Sequence, residues 1–215
     1  MKRTFFFILI ILIPPVVFSQ KNNFSLKTGL TQCIIKTVQN PSYPQIYLGN
    51  AGSRAGFNLG VKYSYRAFDI VAFGGEFQYL LKGYGAEFGS DKIYSDHYLS
   101  LSPILSFFPF SKSDNKYFSS LSVEAGYNID YCLKTEMNLE SVPGYSQNLL
   151  ELGYFLGVTF QPGKAGIQLY YFSAQTPYLK VNNPVPSFVE SRYSRVLGFS
   201  FLYNFSKTEN RRSID

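Results

Sequence analysis

Proton transfer near neutral pH is most often a histidine's task, and this chain has a single histidine, His97. Any His-dependent hydrolysis would have to run through it. Read as a strand, residues 94–108 place His97 with Leu99, Leu101 and Leu105 on one face, and Asp96 with Ser100 and Ser102 on the other. A base on that apolar face could act only on lipid, as in a membrane lipase or a lipid A deacylase. Such an enzyme needs a serine and an orienting acid on the same surface. Ser95 shares the face, but two neighbouring same-face side chains are a weak signal. The expectation is an interfacial histidine without a catalytic role.

Other chemistry-bearing residues are equally sparse. Cys33 and Cys132 both take the inward parity of their strands, near the extracellular ends of the first and fifth strands. In a barrel of about eight strands these lie on opposite sides, farther apart than the Cα separation of about 7 Å that a disulfide tolerates. No Cys-x-x-Cys, histidine cluster or carboxylate spacing points to a metal, and no cofactor is expected. The stretch Gly49–Gly56 lacks the Lys-Ser/Thr of a phosphate loop and reads as a loop end. Lys27, Lys62, Glu76, Glu124 and Glu151 take inward parity, so both signs of charge meet in one interior. Paired there, they would fill and rigidify a barrel and close it to solutes.

What positions these residues is a period of two. Ala55, Phe57, Leu59, Val61, Tyr63 and Tyr65 alternate with Arg54, Gly56, Asn58, Gly60, Lys62, Ser64 and Arg66. Strict alternation marks a strand with one apolar and one polar side. It recurs near 69–82, 117–134, 148–161 and 192–205, with less regular segments near 24–36, 94–108 and 165–176. Leu80, Phe155, Val196 and Leu202 break it by falling on polar faces, and Arg195 by falling on an apolar one. The count is about eight strands, even as outer-membrane barrels require.

The two faces differ in size as well as polarity. The polar face is Gly, Ser, Asn and single charges; the other is Leu, Val, Phe and Tyr. A soluble barrel or sandwich would have to crowd all those rings into its interior. The reverse arrangement, small and polar inside and bulky and apolar outside, suits a narrow lumen in lipid. Tyr63, Tyr65, Tyr117, Tyr131 and Tyr203 fall at strand ends, where headgroup belts lie. The expected fold is all-β: a small closed antiparallel transmembrane β-barrel after a cleaved signal peptide.

Composition agrees. Aromatics are 18% with no tryptophan, and charged residues only 16%, against about a quarter in soluble domains. No stretch after the first twenty residues approaches a transmembrane helix in length. At the start, Met1-Lys2-Arg3, the apolar run Phe5 to Ile13, Pro14-Pro15 and Val17-Phe18-Ser19 have the three-part layout of a secretory signal peptide. This predicts a signal peptide over 1–19 and a barrel domain over 20–215. The chain carries +6; without Lys2 and Arg3, 18 basic face 14 acidic residues. No Lys/Arg cluster with interleaved aromatics suggests nucleic acid. Outer-membrane lipid headgroups are the partner that scattered cations at a membrane rim imply.

Links of alternating length fit this reading. Those near 67–68, 109–116 and 162–164 are short. Those near 37–53, 83–93, 135–147 and 177–190 are long and hold most prolines outside the leader, and they read as extracellular loops.

The run Gly75-Glu76-Phe77-Gln78-Tyr79-Leu80-Leu81-Lys82-Gly83, then Tyr98–Leu105, Ser122–Tyr127 and the closing Leu197–Tyr203, resembles the outer-membrane β-barrel domain of Bacteroidetes proteins called PorT-like. The likeness covers the mature chain, apart from the tail Ser206–Asp215 beyond the last strand. It implies an integral outer-membrane protein, and some members are similar to an accessory component of the type IX secretion system.

Three functions follow as expectations: a non-enzymatic binding, scaffolding or secretion-accessory role through the extracellular loops, with a larger secretion or surface complex as partner; a lipid-modifying enzyme using His97; and a small porin. The first is the reading carried forward. The leader predicts that mass spectrometry of the exported protein finds Gln20 at its N-terminus, whereas an intact Met1 would mean a retained anchor.

Overall fold

The computed structural model describes residues 22–39, 54–84, 94–135, 145–181 and 189–205. The expected signal peptide 1–19, the tips of the long links and the tail 206–215 lie outside the described residues. The alternating segments form eight long strands: β1 (Asn22–Gln39), β2 (Arg54–Phe68), β3 (Val71–Tyr84), β4 (Tyr94–Phe107), β5 (Leu121–Thr135), β7 (Leu150–Phe160), β8 (Ala165–Ala174) and β10 (Val189–Asn204). Each pairs antiparallel with its neighbour in that order, and β10 returns to β1 to close the sheet. The closing register runs from Ser25↔Asn204 to Val38↔Ser191 before a bulge. A closed sheet leaves no edge, which is the condition for putting strands in hydrocarbon.

The boundaries differ from the sequence reading at the turns. The β2–β3 turn is Asp69-Ile70, two residues beyond the expected link, because β2 continues to Phe68 through a register shift. Residues 117–120, expected to open a strand, belong instead to a short helix, α1 (Lys116–Ser119), and its cap. The Asn115 side chain accepts a hydrogen bond from Tyr117 N at 2.9 Å, an N-cap that competes with strand extension. Tyr117 therefore sits exposed on that helix and not at a strand end.

The long links near 135–147 and 177–190 are not wholly loop. Two short strands, β6 (Tyr145–Gln147) and β9 (Leu179–Val181), form a sheet with the extracellular end of β10. After Arg195↔Ser173 the next pairing of β10 on that side is Arg192↔Leu179, so residues 175–178 bulge out of register. The bulge turns Tyr178 into the barrel, where it is 1% exposed. The wall thus rises higher on the β7–β8–β10 side than a plain barrel would.

Faces follow the sequence. Leu30, Leu59, Phe77, Leu101, Leu156, Leu169 and Phe201 are outward and half or more exposed. Among the described residues no polar surface covers them, and the band faces hydrocarbon. Inside, rings need gaps to lie in. A Cβ on Gly198 would collide with the Tyr170 ring, and one on Gly157 would stand 3.2 Å from the Phe155 ring. Phe155 and Tyr170 stack at 5.7 Å across β7 and β8. Alternation of small and large residues fits bulky side chains into a narrow barrel.

Gly198→Val displaces Tyr170 from this stack. It is expected to cost about 1–3 kcal/mol of barrel stability, read as a lower urea midpoint for the heat-modifiable gel mobility of the folded form.

Candidate functional site

The five charged residues singled out from parity all lie in the lumen, but they do not form one network. Four of them meet near the periplasmic half. Lys27 Nζ is 2.5 Å from Glu76 Oε2, and Lys62 Nζ lies 2.5 Å from Glu124 Oε1 and 3.4 Å from Glu76 Oε1. Gln168 Nε2 donates to both glutamates, at 2.6 and 2.8 Å, and Lys62 donates to Thr159 Oγ1 at 3.2 Å. These groups come from β1, β2, β3, β5, β7 and β8, so the cluster ties the wall together across its diameter. Two lysines against two glutamates leave it neutral. Beside it, Asn58 Nδ2 donates to Tyr170 Oη at 2.6 Å and to Ser200 Oγ at 3.0 Å.

Glu151 belongs to a second cluster nearer the extracellular end. Lys82 Nζ stands 2.8 Å from Asp130 Oδ2 and 3.2 Å from Glu151 Oε2, and donates to Ser194 Oγ at 3.2 Å. Ser194 in turn donates to Glu151, and Asn128 Nδ2 donates to Asp130. The Lys82 ammonium also lies 4.0 Å from the Tyr98 ring centroid, a cation–π contact in a desolvated place. Lys82 and Asp130 share the polar parity of Glu76 and Glu124 on their strands, though neither was counted in the network expected from sequence. Parity was a sufficient signal for both. Gln168 was harder to find, since its strand alternates less regularly.

The extracellular half of the lumen is not polar throughout. Cys33, Ile35, Phe155, Phe172, Ala174, Tyr178, Leu179 and Val196 form a buried apolar cluster. Leu80, Tyr98 and Cys132 form another. The residues that broke the alternation, Leu80, Phe155, Val196 and Leu202, are all 3% exposed or less and point inward. They fill the barrel. Cys33 and Cys132 are not bonded to each other and lie in separate clusters.

Two places on the outer and upper surfaces could meet a ligand. A cavity of about 540 Å³ lies on the β6–β9–β10 extension, bounded by Ser146, Gln147, Asn148, Thr176, Pro177, Ser191 and Tyr193. Its size suits a small molecule or a side chain of a partner. The other place is His97. It faces outward and half-buried, with Nδ1 hydrogen-bonded to the Tyr79 hydroxyl. No group of His, Cys, Asp and Glu among the described residues has the arrangement of a metal site.

No family model matches the chain, and no curated protein matches it. Solved structures do. Neisserial surface protein A is similar over 85% of this chain and 97% of its own, at 17% identity and a TM-score of 0.52. The outer membrane protein OprG from Pseudomonas aeruginosa (15% identity; 86% of this chain, 97% of its own; TM-score 0.48) and Ail, the attachment invasion locus protein of Yersinia pestis (18%; 86% and 100%; 0.45), align less closely. The likeness to the Neisserial protein shows the fold. Location follows from the surface: a closed eight-strand barrel with a hydrocarbon-facing band is an outer-membrane protein of the Gram-negative type.

Removing one partner of a buried ion pair leaves an uncompensated charge. Glu76→Leu is expected to lower stability by about 3–5 kcal/mol, and the double variant Lys27→Met/Glu76→Leu to recover much of that loss. Urea titrations of the refolded barrel in detergent measure both.

Proposed function

We propose that this outer-membrane barrel acts without chemistry, by binding or scaffolding at its extracellular end. The observation that carries the reading is the filled lumen. A solute path would have to pass the Lys27–Glu76–Lys62–Glu124 cluster with the Tyr170 ring against it, the rings of Phe155 and Phe172, and Lys82 with Asp130 and Glu151. With the interior given to holding the wall, work with partners falls to the surface. The β6–β9–β10 extension supplies a stiff platform there, anchored from below by Tyr178 and Leu179.

The strand patterns shared with PorT-like barrels favour one setting for this role, an accessory part of a secretion or surface complex. The lipid-modifying alternative keeps one specific support, the hydrogen bond with Tyr79 that holds His97 on the lipid side. His97→Ala separates the two, since only an enzyme predicts altered lipid A in whole-cell extracts.

Planar-bilayer recordings of the purified barrel are expected to show no discrete conducting steps. Replacing residues 40–53 and 136–144 with short Gly-Ser links is expected to leave the folded gel mobility intact while dissolving any high-mass complex seen after cross-linking in outer membranes. Regular conductance steps support the porin reading instead.

A further inference from the structure

Charge is sorted between the two faces of the wall. The strand carboxylates whose side chains are described, Glu76, Asp96, Glu124, Asp130 and Glu151, are all 2% exposed or less and point into the lumen. The strand cations divide. Lys27, Lys62 and Lys82 are inside with them, but Lys36, Lys134 and Arg195 take the outward parity near the extracellular ends of β1, β5 and β10. The outer wall thus carries cations at this rim, while the described strand carboxylates are all turned away from it.

One of those cations is aimed by a bulge. His97 pairs with Lys134, but Tyr98 pairs with Cys132, so Leu133 is an extra residue, and Leu133 and Lys134 are both exposed. Without the bulge Lys134 would share the lumenal parity of Cys132. Bulges re-aim side chains in this way. Across β4, Tyr79 holds His97 through Nδ1, with the two rings 5.9 Å apart, and Phe57 on β2 lies 5.6 Å from Tyr79. With Nδ1 engaged by the Tyr79 hydroxyl, Nε2 is the open edge of the ring, and it carries a proton when the hydroxyl donates to Nδ1 or when the imidazole is charged. Tyr79, His97 and Lys134 therefore form a row across β3, β4 and β5, just above the apolar outward residues Leu99, Leu101 and Leu105.

We propose that this row is a binding site for the phosphate of a phosphorylated outer-leaflet lipid. An ammonium and an imidazole N–H supply charge-assisted donors to phosphate oxygens, and the Leu residues below supply the surface along which the acyl chains lie. A soluble anion would gain nothing from that apolar wall. Cations at an anionic membrane surface are each worth a severalfold gain in affinity. The site rests on the membrane-spanning reading of the barrel.

The test is to insert the full barrel into phosphatidylcholine nanodiscs doped with lipid A, either bearing its phosphates or dephosphorylated, and to count retained lipid by native mass spectrometry. The wild type is expected to retain the phosphorylated form preferentially. K134Q and H97Q should each lower that retention about fivefold, while Lys134→Arg preserves it. Heat-modifiable gel mobility verifies that each variant is folded. An inserted barrel that retains both lipids equally, or K134Q retaining as much as wild type, overturns the site alone. A chain that never inserts overturns the membrane reading and the site with it. Displacement of the lipid by an equal concentration of inorganic phosphate would assign the row to a free anion and overturn the lipid assignment.

Discussion

Hydrocarbon offers no partner to a backbone N–H or C=O, and each one left unpaired costs several kcal/mol. That constraint governs the rest of this molecule. It requires the β1–β10 seam as much as any other strand pair, so the sheet must close. Closing eight strands leaves an interior only wide enough for side chains. Everything inside must then pack around the axis, and everything outside must be compatible with lipid. The period of two in the sequence is the consequence: one residue in two answers to each environment.

The lumen solves its packing problem with two materials. Buried ion pairs give direction, since a lysine on β1 or β2 finds its glutamate only when β3 and β5 stand at the right height. Such pairs are weak evidence for stability, because desolvation offsets much of the attraction. Their better-supported value is in fixing one register among several that an alternating strand could adopt. The apolar cluster on the β1–β7–β8–β10 side does the opposite work, filling volume without directional demands. Gly198 marks where the two requirements meet, a residue on the inner face left without a side chain so that Tyr170 can reach Asn58.

The strands and their faces were legible because alternation is a direct record of two solvents. His97, Lys27, Lys62, Glu76, Glu124 and Glu151 all stand on the faces that parity assigned. The breaks in alternation were visible too, but their meaning was not. Leu80, Phe155 and Val196 read as noise in a one-dimensional pattern and become the upper lumen filling in three dimensions. Several features depend on partners distant in sequence and could not be read at all. The partition of charges into two clusters turns on strand heights, and the outward aim of Lys134 on a single bulge. Residues 145–147 and 179–181 looked like loop because three-residue strands carry too little pattern; β10 templates β9, and β9 in turn pairs with β6. The α1 turn shows the reverse case, where the local capping preference of Asn115 prevailed over an extended pattern that ran on from β5.

The central claim is the inside-out wall, and site-directed spin labelling along β4 tests it most directly. Single cysteines at 99, 100, 101, 102 and 105, in a background lacking Cys33 and Cys132, would carry the label in lipid vesicles. The account predicts high oxygen collision rates at 99, 101 and 105 and low rates at 100 and 102, with a water-soluble nickel reagent excluded from the first set. Exposure of positions 99, 101 and 105 to the nickel reagent, with no two-residue oscillation in oxygen, would contradict it.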